Sequence, residues 1–381
     1  MRVRTTLAGT AALLLSVALA APAVAAAGPA APARHGHTAT RAAVEATVRD
    51  GVPGVTATAN DAHGTWSTTA GVGDTRTGAP RSAADRYRVG SITKTFVATV
   101  LLQLEAEGRL SLDDKVDEWL PGVVRGHGHD GRAITVRQLL NHTSGIYSYT
   151  EDEDFARTYF LADGFLRHRY DTLTPQDLVA MAMRHSPYFA PGTSWHYSNT
   201  NYVLAGMVIA KVTGHPYATE IRHRILGPLH LTATSVPGTR VTVPRPSSRA
   251  YGKLAATATG PTYDVTELNP SLASSAGEMI SDSADLDRFY SALLRGKLLP
   301  PRQLKEMKTT VKTDEVPGAG YGLGLQETVL DCGVHVWGHG GGIHGSKSAA
   351  VTTADGRHSL ALNLNADWTG DPDAVVAAEF C

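Results

Sequence analysis

Val89-Gly90-Ser91-Ile92-Thr93-Lys94-Thr95-Phe96-Val97-Ala98-Thr99-Val100-Leu101-Leu102-Gln103-Leu104-Glu105-Ala106-Glu107-Gly108 is the most strongly patterned stretch of this chain. Phe96, Val97, Val100, Leu101 and Leu104 recur at spacings of three and four, which predicts a helix from about Ser91 to Glu107 with Gly108 as its stop. Ser91 and Lys94 stand three apart at its start and share one face. A hydroxyl then lies beside an ammonium at a helix N-terminus, where backbone N–H groups can receive a developing oxyanion. A lysine in a partly dry cleft can lose its proton near neutral pH and activate that hydroxyl. This is the only S-x-x-K in the chain. The plainer alternative is an N-cap serine followed by a surface lysine.

On the N-terminal side, Val55 to Ala59 and the run from Thr65 have strand character, separated by a turn at His63-Gly64. Arg41 to Asp50 reads as a short helix with Val44 and Val48 on one face and Gly51 as its stop. Residues 28–40, rich in Pro, Ala, Gly and His, read as a disordered leader. Before them, Arg2 and Arg4 precede the apolar run Leu7 to Ala20, and small-x-small sites end at Ala25 and Ala27. This pattern predicts a signal peptide over 1–27, cleaved after Ala25 or Ala27, and a secreted protein. The run is too short and too Ala-rich for a membrane span, and no later stretch is long enough for one, so no membrane anchor is expected. Its removal takes away two arginines and no acid, moving the net charge from −1 to −3. Such a balance excludes a nucleic-acid binder.

On the C-terminal side, residues 110–299 read as helical pieces between polar loops: about 175–184, 200–213 and 283–295. After 316 the pattern turns to strands: Tyr321 to Val329, Val334 to Trp337, Ser346 to Thr353 and Ser359 to Leu364. A last short helix opens at Asp371-Pro372. Strands and a helix at both ends imply an α+β fold, with one antiparallel sheet built from both termini and the terminal helices on one face. The domain is expected over 41–381: a sheet lobe of about 41–90 and 300–381, and an inserted, mainly helical lobe of about 110–299. The two cysteines, Cys332 and Cys381, predict one disulfide, with two buried thiols as the alternative.

Two further motifs carry chemistry. Tyr197-Ser198-Asn199 follows the turn Phe189-Ala190-Pro191-Gly192, and in an extended segment its tyrosine and asparagine point to one side. The tyrosine can relay a proton, and the asparagine can hold a substrate amide or the lysine. The alternative is a loop tyrosine and an N-cap asparagine. Gly338-His339-Gly340-Gly341-Gly342 follows a strand, and its glycines would let a substrate backbone approach the strand edge. A lipase-like oxyanion loop is excluded by the lack of a G-x-S-x-G elbow, and a dinucleotide loop by the strand that follows. His127-Gly128-His129 lacks a third metal ligand and reads as a solvated loop. Glu151 to Asp154 reads as an exposed acidic loop, and Tyr147 and Tyr149 as cleft-lining or ordinary loop aromatics.

S-x-x-K, Y-x-N and H-x-G in this order resemble the penicillin-recognising serine hydrolases, that is, D-alanyl-D-alanine carboxypeptidases, class C β-lactamases and their esterase and D-aminopeptidase relatives. Leu139 to Gly145, Phe189 to Tyr202, Ser275 to Phe289 and Tyr321 to Gly324 resemble the family too, so the likeness covers about 85–350. The resemblance implies a serine β-lactamase-like fold and an acyl-enzyme mechanism without cofactor or metal. It implies Ser91 as nucleophile, Lys94 as its proton acceptor and Tyr197 as proton shuttle. Asn199, His339 and Gly341 match substrate-binding positions, and the N–H groups of Ser91 and Gly342 match the oxyanion hole. The implied partner is a small peptide, ester or β-lactam, and a monomer is expected. A D-Ala-D-Ala carboxypeptidase is the leading expectation; an esterase, a D-aminopeptidase or amidase, or a class C-like β-lactamase is the alternative. The carboxylate-gripping arginine of close carboxypeptidases reads Gln326 here. Gly340 and Gly342 stand where hydroxyl residues are frequent, which brings His-Gly-Gly nearer the D-aminopeptidase and esterase branches.

Overall fold

A computed structural model of the chain describes residues 36–313 and 318–381. The signal peptide expected over 1–27, and the leader as far as residue 35, lie outside the described residues. The leader boundary needs correction at its other end. The first helix, α1, spans Thr38–Arg49, because Thr40 and Val44 are buried and continue the apolar face toward the N-terminus.

Nine strands form one antiparallel sheet. In chain order they are β1 (Gly54–Asp61), β2 (Gly64–Asp74), β3 (Ala79–Pro80), β4 (Val311–Lys312), β5 (Ala319–Tyr321), β6 (Gln326–Val329), β7 (His335–Ile343), β8 (Ser346–Thr353) and β9 (Ser359–Leu364). The spatial order is β4-β5-β6-β7-β8-β9-β1-β2-β3. The two ends of the chain therefore meet where β1 pairs with β9, with Val55 opposite Leu364 and Ala59 opposite Leu360. All six residues of β9 are buried, as are the first six of β1, since both faces of the sheet centre are covered. The fold is the expected α+β arrangement. Two strand readings change. Tyr321 to Val329 is a tight hairpin of β5 and β6, in which the Gly322 N–H bonds the Leu325 carbonyl. The strand expected to stop at Trp337 runs on through the glycines to Ile343.

One face of the sheet packs α1 and the C-terminal helix (Pro372–Phe380, here α5), through Val44, Val375 and Val376 against Val55, Leu362 and Leu364. Glu379, nearly inaccessible on α5, accepts from Thr40 Oγ1 at 2.5 Å, His37 Nδ1 at 2.9 Å and His358 Nε2 at 2.7 Å. Cys381 closes the predicted disulfide with Cys332 in the β6–β7 turn, across 49 positions. In a chain-entropy view a loop of that length contributes roughly 4 kcal/mol.

The other face packs the helix Ser283–Leu294 (α4), which the central helix α2 (Thr93–Ala106) touches through Phe96 stacked on Phe289 at 3.7 Å. Helix α2 is not one-sided: every residue from Thr93 to Leu102 is buried. Its hydroxyls are satisfied internally, Thr93 on the Gly90 carbonyl, Thr95 on the Gly324 carbonyl and Thr99 on the Thr95 carbonyl. Helix α3 (Asn199–Thr213) lies beside α2, ended by Gly214 at φ 77°. Among the described residues no helix is long and apolar enough to cross a membrane.

Candidate active site

Ser91 lies in a 3-10 turn, Gly90–Ile92, that runs into α2, so the helix proper begins two residues later than the periodicity predicts. Gly90 has φ 53°, and a Cβ there would lie 2.7–2.9 Å from the Gly342 backbone. At Gly341 a Cβ would lie 1.9 Å from the Val89 carbonyl oxygen and 3.2 Å from the Ser91 nitrogen. The glycines at 90 and 341 thus let the serine turn press directly on β7. The room at Gly341 is filled by the protein's own backbone. At Gly342 nothing lies within 4 Å, and this residue shares a cavity with Ser91.

One helical turn on, Lys94 is fully buried. Its Nζ lies 3.0 Å from Ser91 Oγ, 2.8 Å from Asn199 Oδ1 and 2.8 Å from the Ala276 carbonyl oxygen. It also stands 4.8 Å from the centre of the Tyr197 ring. All three hydrogen-bond partners are neutral oxygens. Burial therefore holds the ammonium pKa well below its ordinary 10.5. A neutral amine has two N–H donors and one lone pair. With Asn199 and Ala276 taking those two donors, deprotonation would leave the lone pair for the Ser91 hydroxyl.

Asn199 is the first residue of α3, and Tyr197, partly exposed, precedes it. This segment is stitched to residues 142–150. Asn199 N–H donates to Ser148 Oγ and its Nδ2 to Thr150 Oγ1, while Tyr149 N–H donates to Thr200 Oγ1. His339 is buried, 6.3 Å ring to ring from Tyr197. Its Nδ1–H donates to the Gly340 carbonyl at 2.5 Å, so Nε2 accepts from the Tyr321 hydroxyl at 2.9 Å. Burial, and secondarily Lys94, pushes its pKa down to about 3, so the ring is neutral at neutral pH.

Ser91, Asn199 and Gly342 line a cavity of about 670 Å³ that extends past Tyr149, Phe160, Leu272 and Ile343. All seven residues singled out in the sequence, Ser91, Lys94, Tyr197, Asn199, His339, Gly341 and Gly342, thus gather at one end of β7. On the far side of Gly340, Gln326 Oε1 lies 3.4 Å from the Gly340 nitrogen. The lesser motifs are corrected by burial. His129 is enclosed, only His127 of that pair being exposed. Asp152 is buried as the N-cap of Glu153–Tyr159, bonded to the Phe155 N–H. Tyr149 lines the cavity, whereas Tyr147 stacks outside it on His185 at 4.0 Å. Sequence reasoning missed the Ala276 carbonyl, which has no side-chain signature, and Tyr321 and His142, which sat in stretches already marked by resemblance.

The beta-lactamase family profile matches residues 39–378. The chain belongs to the beta-lactamase family. This beta-lactamase-family chain is 63% identical to a D-stereospecific amidohydrolase from Streptomyces sp., over 91% of this chain and 99% of that one, with a TM-score of 0.87. A D-amino acid amidase from Ochrobactrum anthropi SV3, complexed with D-phenylalanine, is 30% identical over 89% of this chain and 97% of its own, with a TM-score of 0.77. Penicillin-binding protein 4* of Bacillus subtilis (strain 168) is 29% identical over 299 residues, 74% of this chain and 61% of that protein. The chain thus spans about three-fifths of that relative's length.

The glycine contacts separate two neighbouring substitutions. Gly341→Ala drives a methyl into the Val89 carbonyl and shifts the serine turn, and a shift of about 1 Å costs on the order of a hundredfold in turnover. Gly342→Ala meets open space, so its melting temperature stays within about 2 °C of wild type. Thermal melts and hydrolysis of an activated ester check both; equal behaviour of the two variants contradicts this packing.

Proposed function

We propose that this chain is a serine amidohydrolase that forms an acyl-enzyme from D-amino-acid amides, esters and short peptides. The observation that carries the reading is the 3.0 Å contact between Ser91 Oγ and a buried Lys94 with no carboxylate partner. Lys94 takes the proton as Ser91 Oγ attacks the substrate carbonyl. The N–H groups of Ser91 and Gly342 hold the oxyanion. Tyr197 passes a proton to the leaving amine and later withdraws one from the hydrolytic water. The D-configuration is supported by the names of the Streptomyces and Ochrobactrum enzymes.

A leaving group without a free carboxylate is supported by the described residues around the end of β7, where the cations of the shared cavity, Lys253 and Lys347, hydrogen-bond to neighbouring groups of the protein itself. His339 is neutral, and Gln326 stands where the family resemblance implies an arginine. His344 is buried on the Tyr159 carbonyl, and its pKa is pushed down to about 4, chiefly by burial. Lys347 reaches the carbonyls of Thr369 and Gly370. This reading therefore places amides and esters ahead of the D-Ala-D-Ala carboxypeptidase activity that leads on sequence alone.

Three measurements follow. The first compares kcat/KM for D- and L-phenylalanine amide, and for a D-Ala-D-Ala peptide against its C-terminal amide. D should exceed L by at least about a hundredfold, a margin within reach of shape discrimination plus unpaired polar groups, and the C-terminal amide should match or exceed the acid. A strong preference for the free acid, unchanged in Gln326→Arg, overturns the leaving-group assignment.

The second concerns pH. Lys94 acts as a base only when neutral, so kcat/KM rises with pH through its depressed pKa. The ascending limb therefore lies well below pH 10.5. Lys94→Arg stays charged and should lose at least about a hundredfold; near-normal rates would show that another group activates Ser91.

The third concerns export. We infer that residues 1–27 are removed on secretion, supported by their apolar run and by the Cys332–Cys381 disulfide. N-terminal sequencing of protein recovered from the medium should begin at Ala26 or Gly28. An intact Met1 on exported protein contradicts this.

A further inference from the structure

Asn141-His142-Thr143-Ser144 lies in a stretch singled out by family resemblance alone, and the proposed chemistry leaves it unused. His142 is fully buried at φ 62°, a left-handed conformation that is uncommon outside glycine and that His, Asn and Asp tolerate best. It grips both neighbours of Tyr197. Its carbonyl oxygen accepts from the His196 N–H at 3.2 Å, and its Nδ1 accepts from the Ser198 N–H at 3.2 Å. Between these two bonds the imidazole lies against the Tyr197 ring, with centroids 4.3 Å apart and planes tilted by 35°.

The ring's protonation follows from its donors. Asn201 Nδ2 also points at Nδ1, at 3.1 Å, and Ser144 Oγ donates to Asn201 Oδ1 at 2.6 Å, which fixes that amide's orientation. Two N–H donors converge on Nδ1, so Nδ1 is bare, the hydrogen sits on Nε2 and the ring is neutral. The remaining faces meet Tyr321 at 4.7 Å and Tyr202 at 5.3 Å, centroid to centroid. Glycine would satisfy this backbone conformation with less strain and would still supply the carbonyl acceptor. What histidine adds is a bare nitrogen on the Ser198 amide and a flat wall behind the Tyr197 phenol.

We propose that His142 is a positioning residue for Tyr197. It clamps the backbone on both sides of the tyrosine and fixes its ring, so that the phenol reaches the leaving group and the hydrolytic water. This rests on the proton-shuttle role given to Tyr197 above, and the test separates the two.

The test is a double-mutant cycle of His142→Asn and Tyr197→Phe, read as kcat and KM on a D-aminoacyl amide, with active sites titrated by an acylating ester. Asn keeps the left-handed backbone but lacks the ring. His142→Asn alone should lower kcat about 10- to 100-fold with KM changed less than about twofold, because the bound ground state does not use the phenol. In the Tyr197→Phe background the same substitution should change kcat less than about twofold. Additive losses, a fall confined to the titrated active-site fraction, or an unchanged kcat in His142→Asn overturn the proposal. If His142→Asn does not fold, Ser144→Ala, which frees the Asn201 amide, runs through the same cycle with an expected loss of about 3- to 10-fold that Tyr197→Phe again masks. A full kcat in Tyr197→Phe itself refutes the shuttle role and this proposal with it.

Discussion

The constraint on which the site depends is an ammonium group placed where no water reaches it and no carboxylate answers it. Burying a charged lysine costs several kcal/mol unless the charge is paired, so the folded protein favours the neutral amine. Ser91, Asn199 and Ala276 receive that amine from three separate stretches of chain. They meet only because the first ten residues of α2, Thr93 to Leu102, run through the interior, enclosed on all sides. A surface helix carrying the same Ser-x-x-Lys would hold an ordinary solvated cation.

Burial acts on the neighbouring imidazoles as well. His142, His339 and His344 are all buried near the cavity, and burial is the largest cause of the lowered pKa of each. Each is held by hydrogen bonds that decide which ring nitrogen carries its hydrogen. These rings shape the site as rigid polar wedges with no charge at neutral pH. Their fixed dipoles lose little to reorganisation when an oxyanion forms, while Lys253, Lys347 and Asp367 bring charge to the lining of the same cavity.

The serine turn, the strand β7 and the Tyr197 segment are aligned by features remote from the chemistry. The absence of Cβ atoms at Gly90 and Gly341 sets how closely turn and strand approach. The sheet that carries β7 is completed by β1, from the other end of the chain. That junction is locked by α1 against α5, by Glu379 under Thr40, His37 and His358, and by the disulfide. Burial alone would raise the Glu379 carboxyl, but the bonds from His358, Thr40 and His37 outweigh it and hold its pKa below the usual value.

Much of this was legible in the residues themselves. The three- and four-residue spacing from Phe96 to Leu104 determines a helix, and the strand runs 346–353 and 359–364 carry their own bounds, because local periodicity depends on which face is apolar. The order of Ser91, Lys94, Tyr197, Asn199 and His339 determined which side chains to watch. Periodicity is silent on burial from the polar side, so it showed α2 with one apolar face and missed that Thr93, Lys94 and Thr95 are enclosed as well. Only the tertiary structure decided that Lys94 is dry, that His339 is a neutral partner of Tyr321, and that His142 stands behind Tyr197. Each of these depends on atoms between 18 and 182 positions away, and a pKa or a tautomer is set by surroundings that a sequence orders but does not place in space.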